Sequence, residues 1–199
     1  LSFVILHASA YSIRPSIAGG LGFSFIVLTD LYGLFCQSII AGIPLRGCVS
    51  SGFALMDSNK SIYFGTPLVE AASGEPARKA IGISFGKSFN NHHPVYNDYF
   101  IPFWDFIKTD DLKSKFISPM VLDWPRYWRI SPDFKDFSFA GCIKKMNTNP
   151  DFSEYYDNAI TFFNFSNGHE NWYEEINRDG ISDIIDYYKK TEEWFKSVT

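Results

Sequence analysis

The sequence predicts an α+β fold built as one domain. Strand-like and helix-like hydrophobic patterns alternate along its 199 residues, a length that suits one domain, with or without a sizeable elaboration, better than two independent cores. Apolar residues make up 46% of the chain and aromatic residues 18%. This composition excludes intrinsic disorder, because enough apolar surface is available to offset the entropy lost on folding.

The first half of the chain predicts the order strand, helix, hairpin, helix, strand. Apolar residues recur at three-and-four spacing up to Ile40, and Gly42 and Pro44 then end the first helix. Pro67 suits the first turn of the second helix, which continues to Gly74. The predicted elements are strands at 4–8, 45–56, 61–64 and 80–85, helices at 25–40 and 67–74, and a turn at 57–60.

The second half begins with a segment, 87–130, that holds much of the proline, histidine and aromatic content. Strands at 99–107 and 120–123 are predicted within it. Asn149 can cap a helix that has Pro150 at its first position. A final helix carries an apolar stripe with charged residues off it. The stripe consists of Ile181, Ile184, Ile185, Tyr188 and Phe195.

The charge balance limits the kinds of binding partner that the sequence predicts, and the cysteine content indicates the cellular compartment. Lys and Arg number 18 against 22 Asp and Glu, a net charge of -4 that does not indicate nucleic-acid binding. The longest apolar stretch, 25–43, contains Asp30, so no membrane span is predicted. Cys36, Cys48 and Cys142 are widely separated. They form neither a disulfide framework nor a metal motif, and they predict reduced core thiols in a cytoplasmic protein.

Two segments are the most informative part of the sequence. Residues 42–52 read GIPLRGCVSSG, and residues 64–71 read FGTPLVEA. Together they resemble the class III nucleotide cyclase catalytic domain, and most closely the bacterial antiphage pyrimidine cyclases of the Pycsar system. The resemblance extends more loosely to 121–125 and 156–163, and so it covers most of the chain.

The resemblance implies a mixed sheet covered by helices on one face, with a family-specific C-terminal extension. Residues 1–86 would form the C-terminal part of the catalytic core, and 87–199 the extension packed on the same domain. The implied reaction converts UTP or CTP into a 3′,5′-cyclic monophosphate and pyrophosphate. The product would be a second messenger in antiphage defence that acts on a separate effector protein. The enzyme would be a homodimer with two equivalent sites at its interface.

The resemblance also implies two divalent metal ions, Mg²⁺ or Mn²⁺, held by two aspartates. These ions would activate the ribose 3′-hydroxyl and neutralise the triphosphate as pyrophosphate leaves. The first aspartate would lie upstream of Leu1. The segment that carries the second in the family runs here from Phe3 directly into Val4. The chain also begins without Met, so it is predicted to be a fragment or to lack internal residues, and its metal ligands are unknown; the alternative is that the metal site is lost.

Five residues are predicted to reach the nucleotide. Arg46 is the candidate catalytic cation, since a guanidinium can fork to phosphate or to a pyrimidine carbonyl; a surface ion pair beside the strand is the alternative. Gly47 and Gly65 would let the backbone approach phosphates, although a tight hairpin explains them equally well. Glu70 is either a substrate-binding carboxylate or a solvated one. Ile62 stands where adenylate cyclases bind adenine through an aspartate, which predicts rejection of purines.

Two departures from the family leave a second function open. Val69 stands at the position of an asparagine that orients the ribose. Ser73 stands at that of an arginine that steadies the transition state. With these roles unfilled, the chain would be a catalytically inactive, cyclase-like nucleotide-binding or regulatory module.

Two other clusters favour structural roles over chemical ones. His92 and His93 are adjacent and lack further ligands at metal-binding spacing, so a solvated loop is predicted. Trp124, Tyr127 and Trp128 offer rings that could stack on nucleobases. Aromatic residues this frequent are usually core, and a core role is predicted for them.

Overall fold

Strands and helices alternate in the structure, and the fold class is mixed α+β. The computed structural model describes residues 5–7, 30–57, 62–92, 99–108, 117–178 and 180–199. The strands are β1 (Ile5–His7), β2 (Arg46–Ser51), β3 (Ala54–Asp57), β4 (Ile62–Gly65), β5 (Gly82–Gly86), β6 (Phe100–Pro102) and β7 (Ile117–Leu122). The helices are α1 (30–40), α2 (Thr66–Gly74), α3 (Lys87–His92), α4 (Trp124–Ile130), α5 (Phe139–Met146), α6 (Ser153–Gly168), α7 (Trp172–Asn177) and α8 (Ile184–Val198).

A five-stranded mixed sheet in the order β1-β2-β5-β7-β6 forms the centre of the fold. β1, β2 and β5 are parallel neighbours, whereas β7 runs antiparallel to β5 and β6. Every residue of β2 from Gly47 to Ser51 is buried, as expected for a parallel strand covered on both faces, so the prediction of a sheet covered by helices on one face is wrong at this strand. The carboxyl ends of β1, β2 and β5 meet at one edge, because parallel strands end on the same side of a sheet. The hairpin of β3 and β4 forms a separate antiparallel pair.

Several predicted elements are confirmed. β3 and β4 pair as the predicted hairpin, and α2 has Pro67 in its first turn and ends at Gly74. Asn149 accepts a hydrogen bond from the Asp151 backbone N–H at 3.0 Å. This cap begins a short 3₁₀ turn, Pro150–Phe152, which leads directly into α6.

Two predicted strands are shorter than the sequence indicates. The single strand predicted at 45–56 is wrong, because the chain leaves the central sheet at Gly52, where φ is 156°. The strand predicted at 99–107 ends at Pro102. Phe106 has a φ of 61°, which a strand does not contain. Parts of other predicted elements lie outside the described residues, namely 4, 8, 25–29 and 58–61.

The apolar stripe predicted for the last helix is confirmed at Phe195, which is buried, and at Ile181 and Tyr188, which pack against the core, but it is wrong at Ile185. Asp183 caps α8 by accepting hydrogen bonds from the backbone N–H groups of Ile185 and Asp186. Ile185 is 76% exposed, whereas Tyr187 and Trp194 are buried. Aromatic side chains bury more area than an aliphatic one, and here they determine the inward face. Four further helices, α3, α4, α5 and α7, were not predicted, because none exceeds 8 residues and so none shows a clear period.

One hydrophobic core joins the two halves of the chain. Trp124 is fully buried, and its ring contacts Phe35 of α1 together with Phe139 and Phe162 from the later helices. Trp128 is also buried, so the predicted core role of both tryptophans is confirmed. Residues on both sides of position 86 therefore pack into the same cluster.

The three cysteines are free thiols, as predicted. Cys36 and Cys48 are buried and Cys142 is half-buried. Burial raises the pKa of each of the first two to about 12, which keeps them protonated and unreactive at neutral pH. None of the helices in the described part of the chain combines the length and apolar composition that a membrane-spanning helix needs.

Replacement of Gly74 by Ala is expected to destabilise the protein by about 1–3 kcal/mol, because it overpacks the contact between α2 and the sheet. A Cβ at Gly74 would lie 2.6 Å from Cys48 Sγ and 2.9 Å from Ile117 Cγ2. Urea unfolding measures the change. Gly168→Ala is the control, since a Cβ at this helical position meets nothing within 4 Å. A Gly74→Ala variant as stable as the control would contradict the packing described here.

Candidate functional site

The two segments that carry the cyclase resemblance fold into one packed unit. This unit consists of β2, the hairpin of β3 and β4, and α2. Helix α2 buries Pro67, Ala71 and Gly74, which share one face at the spacing of a helix packed on a sheet. Ser50 Oγ donates a hydrogen bond to the Pro67 carbonyl at 2.5 Å, while Gly74 lies against Cys48. The start of α2 is therefore near the carboxyl end of β2, and its end is near the beginning of β2.

A polar network occupies the carboxyl edge of the parallel strands. Glu70 of α2 accepts hydrogen bonds from the Ser88 backbone N–H at 3.0 Å and from the Ser88 hydroxyl. The Ser51 backbone N–H donates to the same hydroxyl at 3.1 Å. A Cβ at Gly86 would lie 2.7 Å from the Glu70 carboxylate, so the absence of a side chain there lets the carboxylate approach. Glu70 thus links α2 to the start of α3. A substrate bound by Glu70, as predicted, would have to share its carboxylate oxygens with Ser88.

Two other predicted residues lie on the hairpin. Gly65 pairs with Ala54, and a Cβ on Gly65 would lie 2.7 Å from the Phe53 carbonyl oxygen. The tight hairpin, which was the alternative explanation from the sequence, is therefore sufficient to explain why a glycine stands at position 65. Ile62 is the first residue of β4 and pairs with Asp57. The side chain of Ile62 lies outside the described part of the structure.

Arg46 and Gly47 lie at the opposite end of β2. Arg46 Nη2 is 2.5 Å from Glu75 Oε1, and the two side chains are 21% and 11% exposed. The Arg46 guanidinium also lies 4.9 Å from the centre of the Tyr155 ring, a distance typical of a cation–π contact. Gly47 pairs with Ile83 of β5. Arg46 is thus in an ion pair beside its strand, the alternative that the sequence left open, although the pair is mostly buried.

The predicted site residues do not gather in one place. Gly65 and Glu70 lie toward the Ser51 end of β2, whereas Arg46 lies at its beginning. A strand rises about 3.3 Å per residue, so these ends are about 16 Å apart. A cavity beside Gly47 and Glu75 has a volume of only about 10 Å³, while a site for a whole nucleotide needs several hundred Å³. This cavity is therefore too small to hold a nucleotide.

The described residues do not fit the two metal ions that the resemblance implies. They contain no group of three or more His, Cys, Asp or Glu side chains placed to hold a metal ion. The carboxylates of Glu70 and Glu75 bind Ser88 and Arg46. The loop predicted at His92 and His93 is wrong at His92, which belongs to α3, while His93 lies outside the described residues. We therefore assign no metal ligand among them.

A buried acidic residue, Asp123, was missed as a candidate. It is 1% exposed and caps α4, where its Oδ1 accepts hydrogen bonds from the Arg126 backbone N–H at 3.3 Å and from Ser166 Oγ at 2.5 Å. Its Oδ2 has no hydrogen-bond partner among the described residues. Burial raises the pKa of Asp123 to about 6, and the hydrogen bond from Ser166 and the charge of Arg129 oppose this shift. The sequence signal was the Asp-Trp-Pro run, which is typical of a capped helix start.

Asp123 is expected to make folding stability depend on pH. Its native pKa of about 6 exceeds the ordinary value of 3.8, so the folded protein holds this proton more tightly than the unfolded chain. The stabilisation is complete below about pH 4 and is lost as the pH rises to 6, by about 3 kcal/mol in total. Asp123→Asn keeps the capping oxygen and removes the titration. We expect wild type and variant to be similar at pH 4 and the variant to be more stable at pH 7.

Urea unfolding of both proteins at several pH values measures this difference. A difference in the free energy of unfolding that stays constant between pH 4 and pH 7 would show that Asp123 titrates normally.

Comparison of the chain with protein-family models, with curated proteins and with solved structures finds no match.

Proposed function

We propose that the chain belongs to a pyrimidine nucleotide cyclase, which converts UTP or CTP into a 3′,5′-cyclic monophosphate and pyrophosphate. One observation carries this proposal. The two segments that resemble the cyclase family form a strand, a hairpin and a helix that follow one another along the chain and pack on one another. β5 then follows α2 and pairs in parallel with β2. The class III cyclase fold, with its C-terminal extension, is part of the same proposal.

The reaction requires a cation near the phosphates and a means to remove the proton of the ribose 3′-hydroxyl. The 3′-oxygen attacks the α-phosphorus, the bond to the β-phosphate oxygen breaks, and pyrophosphate leaves. Arg46 would supply positive charge to the phosphate oxygens, since its planar guanidinium can bind two oxygens at once. Two divalent ions, Mg²⁺ or Mn²⁺, remain the proposed cofactors.

We propose a two-fold homodimer as the active form. The packed unit exposes three apolar side chains, Phe53, Phe64 and Val69, which are 82%, 75% and 60% exposed. We call these three residues the hairpin face. Large exposed apolar residues on one small unit favour an interaction surface. A two-fold partner could also place the Arg46 end of one subunit beside the Gly65 end of the other, which a single subunit does not do.

The second candidate is an inactive cyclase-like module that binds nucleotide or regulates a partner. The observation that favours it is the state of the two charged site residues. Arg46 is paired with Glu75, and Glu70 is hydrogen-bonded to Ser88. Both side chains therefore already have protein partners, so a structural role explains each of them.

Replacement of Arg46 by Ala is expected to lower kcat/KM for UTP and CTP at least tenfold, or by about 1.4 kcal/mol of transition-state stabilisation. The reason is the loss of the proposed cation at the phosphates. Lys79→Ala is the matched control, because Lys79 is also a cation in an ion pair, with Glu154 at 3.2 Å. The control should keep its activity. If Arg46→Ala lowers only the melting temperature and leaves kcat/KM unchanged, Arg46 acts through its pair with Glu75 alone.

The proposal is tested by incubating the full-length protein with each of the four NTPs and Mg²⁺ or Mn²⁺. Products are identified by mass spectrometry, and melting temperatures are measured with and without nucleotide. A cyclic pyrimidine monophosphate supports the cyclase. A nucleotide-dependent rise in melting temperature without any cyclic product supports the inactive module. If neither a cyclic product nor a nucleotide-dependent rise in melting temperature is observed, both candidate functions are overturned.

A further inference from the structure

A buried arginine outside the predicted site joins two separate segments of the chain. Arg78 is 5% exposed, and its Nη1 donates hydrogen bonds to the carbonyl oxygens of Phe103 at 2.8 Å and Asp105 at 2.7 Å. The backbone makes the same connection, since the Lys108 N–H donates to the Ala77 carbonyl oxygen at 2.8 Å. The guanidinium therefore holds the segment after β6 to the segment after α2.

Two other nitrogen atoms of the same side chain lack protein acceptors. The Nε and Nη2 atoms of Arg78 are buried and have no hydrogen-bond partner among the described residues. A buried donor without an acceptor is unfavourable, and native structures nearly always pair such a donor with another protein group or with an ordered water molecule. A further acceptor beside this guanidinium is therefore indicated.

The charges around Arg78 indicate that this acceptor is neutral. Burial lowers the pKa of Arg78 to about 10, and the nearby Asp105 carboxylate opposes this shift. Arg78 is thus charged at neutral pH and has a carboxylate in its surroundings. Glu75, a second carboxylate, lines the same small cavity as Arg78. Because these two carboxylates would repel an additional anion, a neutral acceptor fits this place better than an ion does.

The cavity beside the guanidinium has the size and the polarity that a single water molecule requires. Its volume is about 10 Å³, which is close to the space of one water molecule. Its polar side chains besides Arg78 are those of Glu75 and Ser84. The Glu75 carboxylate can accept a hydrogen bond, and the Ser84 hydroxyl can donate or accept one. The walls thus offer the two or more polar partners that a buried water needs.

We propose that this cavity binds one ordered water molecule, which accepts hydrogen bonds from the Nε and Nη2 groups of Arg78. These two groups lie on one edge of the planar guanidinium, so a single oxygen can accept from both. The two hydrogens of the water remain available for acceptors on the cavity wall. The water is a structural part of the junction between the sheet and the segment after β6. This site is independent of the proposed cyclase activity.

A crystal structure of the full chain, at a resolution that shows ordered water, tests the proposal. We expect one isolated density peak at about 2.7–3.2 Å from Arg78 Nε or Nη2. A crystal soaked in bromide should show no anomalous signal at this peak, which distinguishes a water molecule from a halide ion. A cavity without density would overturn the proposal, and so would an anomalous peak there.

A pair of variants tests whether Arg78 binds the water. Arg78→Met removes both donors and should lose the peak. Lys79→Met is the matched control, because Lys79 is the neighbouring cation and lies in an exposed ion pair with Glu154; it should keep the peak. A folded Arg78→Met variant that retains the peak would contradict the assignment to Arg78. If this variant does not fold, the wild-type crystal decides between the outcomes alone.

Discussion

Replacement of Phe64 by Asp is expected to convert the proposed homodimer into a monomer and to lower cyclase activity at least a hundredfold. Phe64 lies on the hairpin face and is 75% exposed in the single subunit. In the dimer this side chain would be covered, and a carboxylate there would lose its hydration without gaining a partner. If both subunits contribute to each site, loss of the dimer removes about 2.7 kcal/mol or more of transition-state stabilisation.

Ile185→Asp is the matched control for this variant. Ile185 is 76% exposed and lies on α8, so the substitution makes the same kind of change on a different surface. Light scattering and kcat/KM for UTP and CTP are measured for both variants. We expect the control to remain dimeric and active. A Phe64→Asp variant that stays dimeric with full activity would exclude the hairpin face from the interface.

Replacement of Trp124 by Ala is expected to lower the free energy of unfolding by about 3–5 kcal/mol. Trp124 is fully buried and contacts rings from three other helices, including Phe35, Phe139 and Phe162. The substitution removes a large apolar surface and leaves a cavity between the two halves of the chain. Most small domains have a stability of only 5–15 kcal/mol, so this variant should be close to unfolding.

Chemical denaturation followed by two optical probes measures this loss. Phe152→Ala is the control, because Phe152 is 54% exposed and its truncation should change stability little. The shared core also predicts that wild type unfolds in a single transition. Two separate transitions, or a loss below about 1 kcal/mol for Trp124→Ala, would show that the halves fold independently.

Local signals predicted the elements that begin and end at distinctive residues. Pro67 and Gly74 marked both ends of α2, and Asn149 with Pro150 marked the entry to α6. The incorrect predictions concern segments whose structure depends on long-range packing. Ile185 belongs to an apolar stripe in the sequence, yet the aromatic residues of α8 occupy the core instead. Short helices such as α4 were missed because they contain too few residues to show a clear period.

The site was less predictable than the fold. The sequence indicated Arg46 as a cation near β2, but its partner, Glu75, is 29 residues away. The pairing depends on how α2 packs on the sheet, which no local pattern reveals. No sequence pattern indicated that Arg78 is buried, since an arginine followed by Lys79 is typical of a solvent-exposed segment. Arg78 is buried because the segment after β6 covers it, and its guanidinium donates hydrogen bonds to the Phe103 and Asp105 carbonyl oxygens there.

Competition among UTP, CTP, ATP and GTP at equal concentrations tests the proposed function most directly. The full-length protein is incubated with all four nucleotides and Mg²⁺ or Mn²⁺, and the cyclic products are quantified by mass spectrometry. The resemblance places Ile62 where adenylate cyclases bind adenine, and an isoleucine there would offer no acceptor for the adenine amino group, a loss of about 1–3 kcal/mol for that base. We predict that the cyclic pyrimidine monophosphates dominate, with cyclic UMP slightly ahead of cyclic CMP. A dominant cyclic purine product, or no cyclic product from any of the four nucleotides, would contradict a pyrimidine cyclase.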